Sequence, residues 1–308
     1  MTPSARSEAP SAWTHLRLLR WTADYLTGKG IERARLDAEV MLADLLGMER
    51  VGLYLNFDRP LKKDELAAFR ERVRRRAAHE PVAYIVGRRE FYGLDLSVDP
   101  RVLIPRPETE LLVDQALGRL KEDRPAEAPH GCASERLVDL GTGSGAVALA
   151  LAHERPEARL WALDISEEAL DAARANARRL GLEARIQFLQ GDLLAPLAGL
   201  RKTYDLIVAN LPYVPRPAFA DMPLDVKAFE PHPALDGGED GLDLIRPAIH
   251  QALPLLKPGG ALILEIWPSQ AEAILTQARA EGYGPASVHQ DLAGYDRAVV
   301  LIRGGDCS

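Results

Sequence analysis

The residues best suited to chemistry follow short apolar runs in the second half of the chain. The first set is the glycine-rich stretch DLGTGSG at residues 139–145. Glycines let the backbone turn with positive φ and let a ligand approach without an intervening Cβ, and a helix beginning here offers free N–H groups to an anion. A glycine turn without a ligand is the alternative. We predict a nucleotide-type ligand bound by Gly141, Thr142, Gly143, Ser144 and Gly145.

Two acidic residues end the next two apolar runs. Asp164 lies 23 residues after Gly141, where a carboxylate can accept hydrogen bonds from both ribose hydroxyls of an adenosine. Asp192 ends the following run and can accept a hydrogen bond from an adenine amino group. A helix cap at Asp164 and a plain turn at Asp192 are the structural alternatives. The loop also satisfies a relaxed dinucleotide fingerprint, so these residues suit the adenosine of either NAD or S-adenosylmethionine.

The tetrapeptide Asn210-Leu211-Pro212-Tyr213 follows a fourth apolar run. A planar nitrogen is a poor nucleophile because its lone pair is delocalised. The Asn210 carboxamide oxygen and the Leu211 carbonyl can accept both N–H groups of a substrate –NH₂, aim its nitrogen at a methyl donor and stabilise the developing positive charge. Pro212 fixes the loop and Tyr213 can pack over the planar group. Hydride transfer needs no such arrangement, although a purely structural turn remains the alternative.

These motifs require elements that bring them to one edge of the molecule. Short apolar runs alternate with helical stretches at 145–153 and 167–180, which is typical of βαβ units in a parallel, doubly wound sheet. Ligands of such sheets bind at the carboxyl ends of the strands. The predicted strands are residues 137–140, 160–164, 186–190, 204–209 and 261–266.

The first part of the chain follows a different pattern. Helical periodicity predicts three helices that end near Gly28, Gly47 and Glu80, hence a small all-helical domain. Residues 91–104 alternate apolar and polar side chains around Asp99-Pro100, which predicts a β-hairpin turning there. A further helix is predicted at about 108–120. We place a helical domain at 1–87, a hairpin linker at 88–106 and an α/β domain at 107–308.

Composition narrows the class of protein. Hydrophobic residues make up 47% and charged residues 27% of the 308, which is typical of a globular chain. The two cysteines, Cys132 and Cys307, lack the spacing of metal ligands, so we expect no metal site. No apolar run is long enough to cross a membrane, so we expect no membrane anchor. We expect a cytoplasmic location.

Charge divides unevenly along the chain. Residues 1–80 carry 15 Lys and Arg against 12 Asp and Glu, a net charge of +3, and the remainder carries −10. The excess is concentrated in five arginines, which form either a solvated helix face or a contact surface for an RNA-bearing partner. They are Arg70, Arg72, Arg74, Arg75 and Arg76.

The glycine loop and the Asn-Leu-Pro-Tyr tetrapeptide resemble those of class I S-adenosylmethionine-dependent methyltransferases that act on –NH₂ nitrogens. Further stretches at residues 89–114, 229–246 and 291–300 resemble the peptide chain release factor glutamine methyltransferases, the HemK/PrmC group. The resemblance implies a Rossmann-like α/β sheet with a small N-terminal all-helical domain joined by a β-hairpin, and S-adenosylmethionine as cofactor.

The implied substrate is the glutamine of the Gly-Gly-Gln motif of release factors, methylated on the side-chain amide nitrogen N5. The implied partner is therefore a protein, with no stable nucleic-acid binding, and a monomer is the default. The helical domain would recognise this substrate. Asp164 would hold the ribose, Ile165, Asp192 and Leu193 would border the adenosine, and Arg106 would lie near the cleft.

The sequence departs from the family at Leu211, where a proline is usual. The backbone carbonyl survives this change, although the loop loses one φ restraint. Asn-Leu-Pro-Tyr also occurs in rRNA adenine dimethyltransferases, so adenine-N6 methylation of rRNA or DNA is the alternative function. Those enzymes carry their extra helical domain after the methyltransferase fold, and here it precedes that fold.

Overall fold

The computed structural model describes residues 12–122, 134–200 and 203–305. Cys132 and Cys307 lie outside these ranges. The chain forms two units: the smaller ends at Gly87 and also includes Leu224–Phe229, and the larger comprises Arg88–Pro223 and the described residues from Glu230 onward. Nowhere in the described parts is a helix both long and apolar enough to cross a bilayer.

The smaller unit is helical. Helices α1, α2 and α4 correspond to the three predicted helices, and Thr14 caps the first of them by accepting a hydrogen bond from the Arg17 N–H. Their apolar faces pack around Leu26, Met41 and Phe69, each at most 1% exposed. The helices up to Gly87 are α1 His15–Thr27, α2 Ala34–Leu45, α3 Arg50–Leu55, α4 Lys63–Ala77 and α5 Val82–Val86.

Most of the arginine cluster is neutralised within this unit. The closest N–O distances are 2.6 Å for Arg72–Asp44, 2.5 Å for Arg74–Glu71, 2.5 Å for Arg75–Glu80 and 2.7 Å for Arg76–Asp37. Of these five arginines, only Arg70 has no acidic partner among the described residues. Four of the five charges are thus balanced locally, which weakens the interpretation of this helix as an RNA-partner surface.

The larger unit begins with a hairpin whose predicted turn was wrong. Strands β1 Arg88–Phe91 and β2 Leu94–Ser97 pair antiparallel and turn at Tyr92-Gly93. Both turn residues have positive φ, 50° and 75°, as a two-residue type I′ turn requires. Asp99 instead accepts hydrogen bonds from the Arg101 backbone and guanidinium, and residues 98–106 form no strand.

A seven-stranded sheet forms the centre of this unit and confirms the predicted α/β class. The strand order is β5-β4-β3-β6-β7-β9-β8; the first five are parallel, and β9 pairs antiparallel with both β7 and β8. The strands are β3 Arg136–Leu140, β4 Arg159–Asp164, β5 Ile186–Gln190, β6 Tyr204–Ala209, β7 Leu256–Glu265, β8 Tyr283–Gln290 and β9 Asp296–Arg303.

Helices follow the strands in the order that βαβ units require. In chain order they are α6 Glu110–Glu122, α7 Ala146–Glu154, α8 Glu167–Arg179, α9 Ala195–Ala198, α10 Leu224–Phe229, α11 Ile245–Ala252 and α12 Ala271–Glu281. The predicted helices at 108–120, 145–153 and 167–180 are α6, α7 and α8. The short helix α10 groups with the smaller unit, where Asp225 lies 3.6 Å from Arg76.

Alternate side chains of each central strand enter two separate cores. On β3, Leu137 packs on one face and Val138 on the other; on β6, Val208 and Ile207 divide in the same way. Both faces are therefore apolar, as in a sheet covered by helices on each side. This arrangement leaves the carboxyl edge of the parallel strands as the place where polar side chains reach a ligand.

Candidate active site

The glycine loop is held in shape by the neighbouring strand. The N–H groups of Gly141 and Thr142 both donate to the Leu163 carbonyl at the end of β4, at 2.8 and 2.9 Å. Gly141, Gly143 and Gly145 have φ of 75°, 54° and 86°, a region that side-chain-bearing residues rarely adopt. A Cβ on Gly143 would meet no atom within 4 Å, so the loop is open where a ligand would approach.

A buried carboxylate, that of Asp139, holds the glycine loop through hydrogen bonds. Asp139 is 2% exposed, and its Oδ2 accepts hydrogen bonds from the Thr142 hydroxyl at 2.7 Å and the Ala148 N–H at 2.9 Å. Burial raises the pKa of Asp139 to about 6, against the opposing effect of these two hydrogen bonds. Asp139 therefore joins β3, the loop and the first turn of α7.

Asp164 lies at the predicted strand end and is already partly engaged. Its Oδ2 accepts a hydrogen bond from the Gly143 N–H at 2.9 Å and its Oδ1 from the Ser166 N–H at 3.0 Å. Each carboxylate oxygen has a second lone pair, so the group can still accept hydrogen bonds from two hydroxyls. Burial raises the pKa of Asp164, and the backbone hydrogen bonds oppose that effect. Ser166, not Asp164, caps α8.

The residues expected around the adenine base are both apolar and charged. Ile165 is 69% exposed despite its apolar side chain, Asp192 is exposed as well, and both line the cavity. Leu193 has a positive φ of 46° and a buried side chain. An exposed isoleucine at a cavity edge is suited to pack against a flat heterocycle.

Asn210 occupies the end of β6 with a defined orientation. Its Nδ2 donates a hydrogen bond to the Thr109 hydroxyl at 3.1 Å, whereas its Oδ1 accepts none from the residues that the structure describes. The side chain of Leu211 is buried against the glycine loop: a Cβ on Gly141 would lie 3.2 Å from Leu211 Cδ2. The backbone of the tetrapeptide is thus packed directly against the loop.

Tyr213 is placed differently from the other tetrapeptide residues. Its hydroxyl donates to Glu265 Oε1 at 2.8 Å, and it is not among the residues that line the cavity. Burial raises the pKa of Tyr213 well above its usual value, and the charge of Glu265 adds to this shift. The phenol therefore keeps its proton at neutral pH, and its hydrogen bond to Glu265 braces the loop. The packing of Tyr213 over the substrate group stays a prediction.

Arg106 is paired with a buried carboxylate. Its guanidinium donates to Glu230 Oε1 at 2.6 Å, and Glu230 Oε2 accepts the Ile104 N–H at 3.1 Å. Glu230 is 6% exposed. This pair ties residues 104–106 to the segment after α10, on the wall of the cavity.

One cavity of about 390 Å³ collects most of the predicted residues, within the size range of small-molecule sites. The open glycine loop, the carboxylate with spare lone pairs and the exposed isoleucine together fit the amino acid, ribose and base of S-adenosylmethionine. Gly145 and Tyr213 lie outside the lining. The predicted residues on the wall are Arg106, Gly141, Thr142, Gly143, Ser144, Asp164, Ile165, Asp192, Leu193, Asn210, Leu211 and Pro212.

Three polar residues of the site were missing from the sequence prediction. Glu265 is the last residue of β7 and Asp139 the last but one of β3, so each is a charged residue at the carboxyl end of an apolar run, which was the available signal. Thr109 lies between two glutamates in the segment PETE, which reads as the start of a surface helix. The structure buries Thr109 to 3% exposure.

Comparison with known proteins identifies both parts of the chain. The model of the PrmC N-terminal domain matches residues 17–87, and that of a methyltransferase domain matches residues 133–294. The release factor glutamine methyltransferase of Geobacter sulfurreducens is 44% identical over 293 residues, covering 95% of this chain and 98% of that protein. The protein of the same name from Moorella thermoacetica is 46% identical, covering 90% and 94%.

Among solved structures, the hMettl16 catalytic domain bound to an RNA hairpin has a TM-score of 0.53 at 15% identity, covering 80% of this chain and 84% of that chain. This likeness concerns the fold alone. The full-length relatives do not favour the adenine-methylating alternative, and they confirm the resemblance drawn from the motifs. The chain belongs to the family of release factor glutamine methyltransferases.

Proposed function

We propose that this protein transfers a methyl group from S-adenosylmethionine to the side-chain amide nitrogen N5 of the Gly-Gly-Gln glutamine in peptide chain release factors. The observation that carries the proposal is the Asn210 carboxamide at the end of β6. Its Nδ2 is occupied by Thr109, which leaves an acceptor oxygen for a substrate N–H. Because release factors act on ribosomes, we propose the cytoplasm as the compartment.

The residues of the cavity would hold the cofactor in three parts. Backbone groups of residues 141–144 face its amino acid portion, Asp164 accepts the ribose hydroxyls, and Ile165 with Leu193 borders the base. When bound, S-adenosylmethionine supplies an electrophilic methyl group. We propose no metal for this reaction.

The chain's own contribution to the chemistry is mainly positioning. Asn210 Oδ1 and the Leu211 carbonyl would each accept one N–H of the substrate amide, which orients the nitrogen and stabilises the positive charge that develops on it. The amide nitrogen becomes acidic only as its new bond forms, so a dedicated base is not required. Tyr213 keeps its proton and serves to hold the loop.

The domain roles follow from the same substrate. We propose that the helical unit up to Gly87 recognises the release factor and that the chain acts without stable nucleic-acid binding, as a monomer. The boundaries that we propose remain 1–87, 88–106 and 107–308. The hairpin belongs to the larger unit, and the chain enters the smaller unit a second time at Leu224–Phe229.

The test is a transfer assay with isotopically labelled cofactor. Purified release factor, the same factor with its Gly-Gly-Gln glutamine replaced by alanine, and ribosomal RNA are each incubated with the enzyme. We expect label only in the release factor that retains its Gly-Gly-Gln glutamine. Label in ribosomal RNA, or equal label in the alanine-substituted factor, would contradict the proposal.

A further inference from the structure

The segment that follows β7 holds Tyr213 at three points. Glu265 Oε1 accepts a hydrogen bond from the Tyr213 hydroxyl at 2.8 Å, and the Trp267 ring lies against the Tyr213 ring with centroids 6.4 Å apart. Gln270 Nε2 donates a hydrogen bond to the Tyr213 carbonyl at 2.9 Å. The hydroxyl, the ring and the backbone of the last tetrapeptide residue are therefore each fixed by a different side chain.

Gln270 is 3% exposed, and both hydrogens of its side-chain amide are used. Besides the Tyr213 carbonyl, its Nε2 donates to the Asp240 carbonyl at 3.0 Å, and its Oε1 accepts the Trp267 N–H at 2.8 Å. Two carbonyls need a donor and the N–H needs an acceptor, so only one orientation of the carboxamide satisfies all three partners. The Gln270 backbone N–H also donates to the Trp267 carbonyl at 3.0 Å.

The Tyr213 carbonyl is also closely packed on its other side. Gly241 has φ 77°, and a Cβ there would overlap both the Tyr213 oxygen and Gln270 Nε2. The next carbonyl in the chain, that of Val214, accepts the Gly237 N–H at 3.0 Å. The backbone just after the acceptor carbonyl of the tetrapeptide is thus held between residues 237–241 and Gln270.

We propose that Gln270 is a positioning residue for the methyl transfer: by holding the Tyr213 carbonyl, it fixes the Leu211 carbonyl that accepts an N–H of the substrate amide. The inference rests on the proposed function. Pro212 transmits the restraint, because its ring fixes φ between the Leu211 carbonyl and Tyr213. Leu211 lacks such a ring, so the tetrapeptide relies on contacts at its two ends, with the glycine loop and with Gln270.

Two substitutions at Gln270 test this role. Gln270→Met keeps the length of the side chain and removes its hydrogen bonds, whereas Gln270→Glu keeps the acceptor for the Trp267 N–H and replaces the –NH₂ donor with an oxygen. We expect each to lower kcat about tenfold, the effect of roughly one lost hydrogen bond, because the orientation of the amide matters most in the transition state. The Kd for S-adenosylmethionine should be unchanged.

Gln277→Met is the matched control on the same helix, α12. Gln277 Nε2 also donates to a distant backbone carbonyl, that of Arg246, at 2.9 Å, but Gln277 does not line the cavity. We expect this variant to lose stability in urea unfolding and to keep full turnover. For all variants kcat is expressed per cofactor-binding site, counted by titration, so that a misfolded fraction does not lower it.

The outcomes divide as follows. Wild-type kcat in either Gln270 variant, or an equal loss in Gln277→Met, would overturn the inference alone. A loss of S-adenosylmethionine affinity as large as the loss of kcat would overturn it too, because it would show that the substitution distorts the whole cavity. A wild-type enzyme that methylates no release factor would instead contradict the proposed function, and this inference with it.

Discussion

At the scale of single residues, the account depends on two side chains with separate tasks. In the proposed function, Asn210 contacts the acceptor and Asp164 contacts the cofactor. Asp164 ends β4 and Asn210 directly follows β6, the two strands on either side of β3. Changes at the two residues should therefore affect different kinetic constants.

We expect Asn210→Ala to lower kcat by about 100-fold or more, because it removes an acceptor aimed at charge that develops only in the transition state. The Kd for S-adenosylmethionine should change little. Steady-state kinetics and calorimetric titration measure the two quantities. Retention of full turnover would remove Asn210 from its assigned role.

We expect Asp164→Ala to weaken S-adenosylmethionine binding by about tenfold or more, since hydrogen bonds to a charged group contribute about 1.5–3 kcal/mol. Titration calorimetry measures the Kd. Asp171→Ala is the matched control, because Asp171 is an exposed acid on α8. Equal affinities in the two variants would show that Asp164 does not hold the cofactor.

At the scale of elements, the glycine loop and the Asn-Leu-Pro-Tyr tetrapeptide pack directly against each other. A Cβ at Gly141 would press on both Leu211 and the Asn210 carbonyl, at 3.2 and 3.4 Å. The loop that we propose to hold the cofactor is therefore also packed against the backbone that we propose to hold the acceptor.

Gly141→Ala should destabilise the fold by about 1 kcal/mol through its positive φ and should also lower kcat by displacing Leu211. Gly181→Ala is the control for backbone strain alone, because Gly181 has φ 71° and open space around its Cβ position. Urea denaturation and turnover are measured on both. The idea fails if the two variants lose activity equally.

Asp139 makes the stability of the β3–α7 junction depend on pH. Its pKa rises from 3.8 in the unfolded chain to about 6 in the fold, because burial disfavours the charged form. The folded state therefore binds more protons between these values, and this group's contribution to stability falls as pH rises from about 4 to about 6. Asp139→Asn should flatten the unfolding free energy over that interval in urea titrations; an unchanged slope would contradict this explanation.

The sequence predicted the central elements because their apolar runs are strong and their breakers clear. It missed β8 (YGPASVHQ), because this is a polar edge strand containing glycine and proline. It also missed β9 (DRAVVLIR), although the apolar run at residues 298–302 was an available signal. The hairpin turn was misplaced because Asp99-Pro100 is a stronger turn signal than Tyr92-Gly93, where a tyrosine adopts positive φ. Within the site, strand-end residues were predictable, whereas Thr109 was not, since its burial depends on contacts distant in sequence.

At the scale of the whole molecule, each unit has its own core and its own response to pH. His15 is fully buried in the smaller unit, and neither ring nitrogen has a hydrogen-bond partner within the described residues. Burial, together with the charge of Arg59, lowers the pKa of His15 below its usual 6.5.

Because burial makes His15 bind a proton less readily in the fold than in the unfolded chain, stability should fall as pH decreases through about 6.5. His15→Phe should reduce this slope, and His153→Phe, at an exposed position, should not. Urea unfolding at several pH values between 5 and 7, roughly the range in which histidine titrates, measures the effect. Equal slopes in wild type and His15→Phe would contradict it.

The central claim, that this fold methylates a release factor glutamine, is tested most directly by locating the transferred methyl group. A release factor incubated with the enzyme and S-adenosylmethionine is digested and sequenced by tandem mass spectrometry. The account predicts one methyl group on the side-chain amide of the Gly-Gly-Gln glutamine, and its loss with Asn210→Ala. A factor left unmodified by the wild-type enzyme, or a methyl group on any other residue, would contradict it.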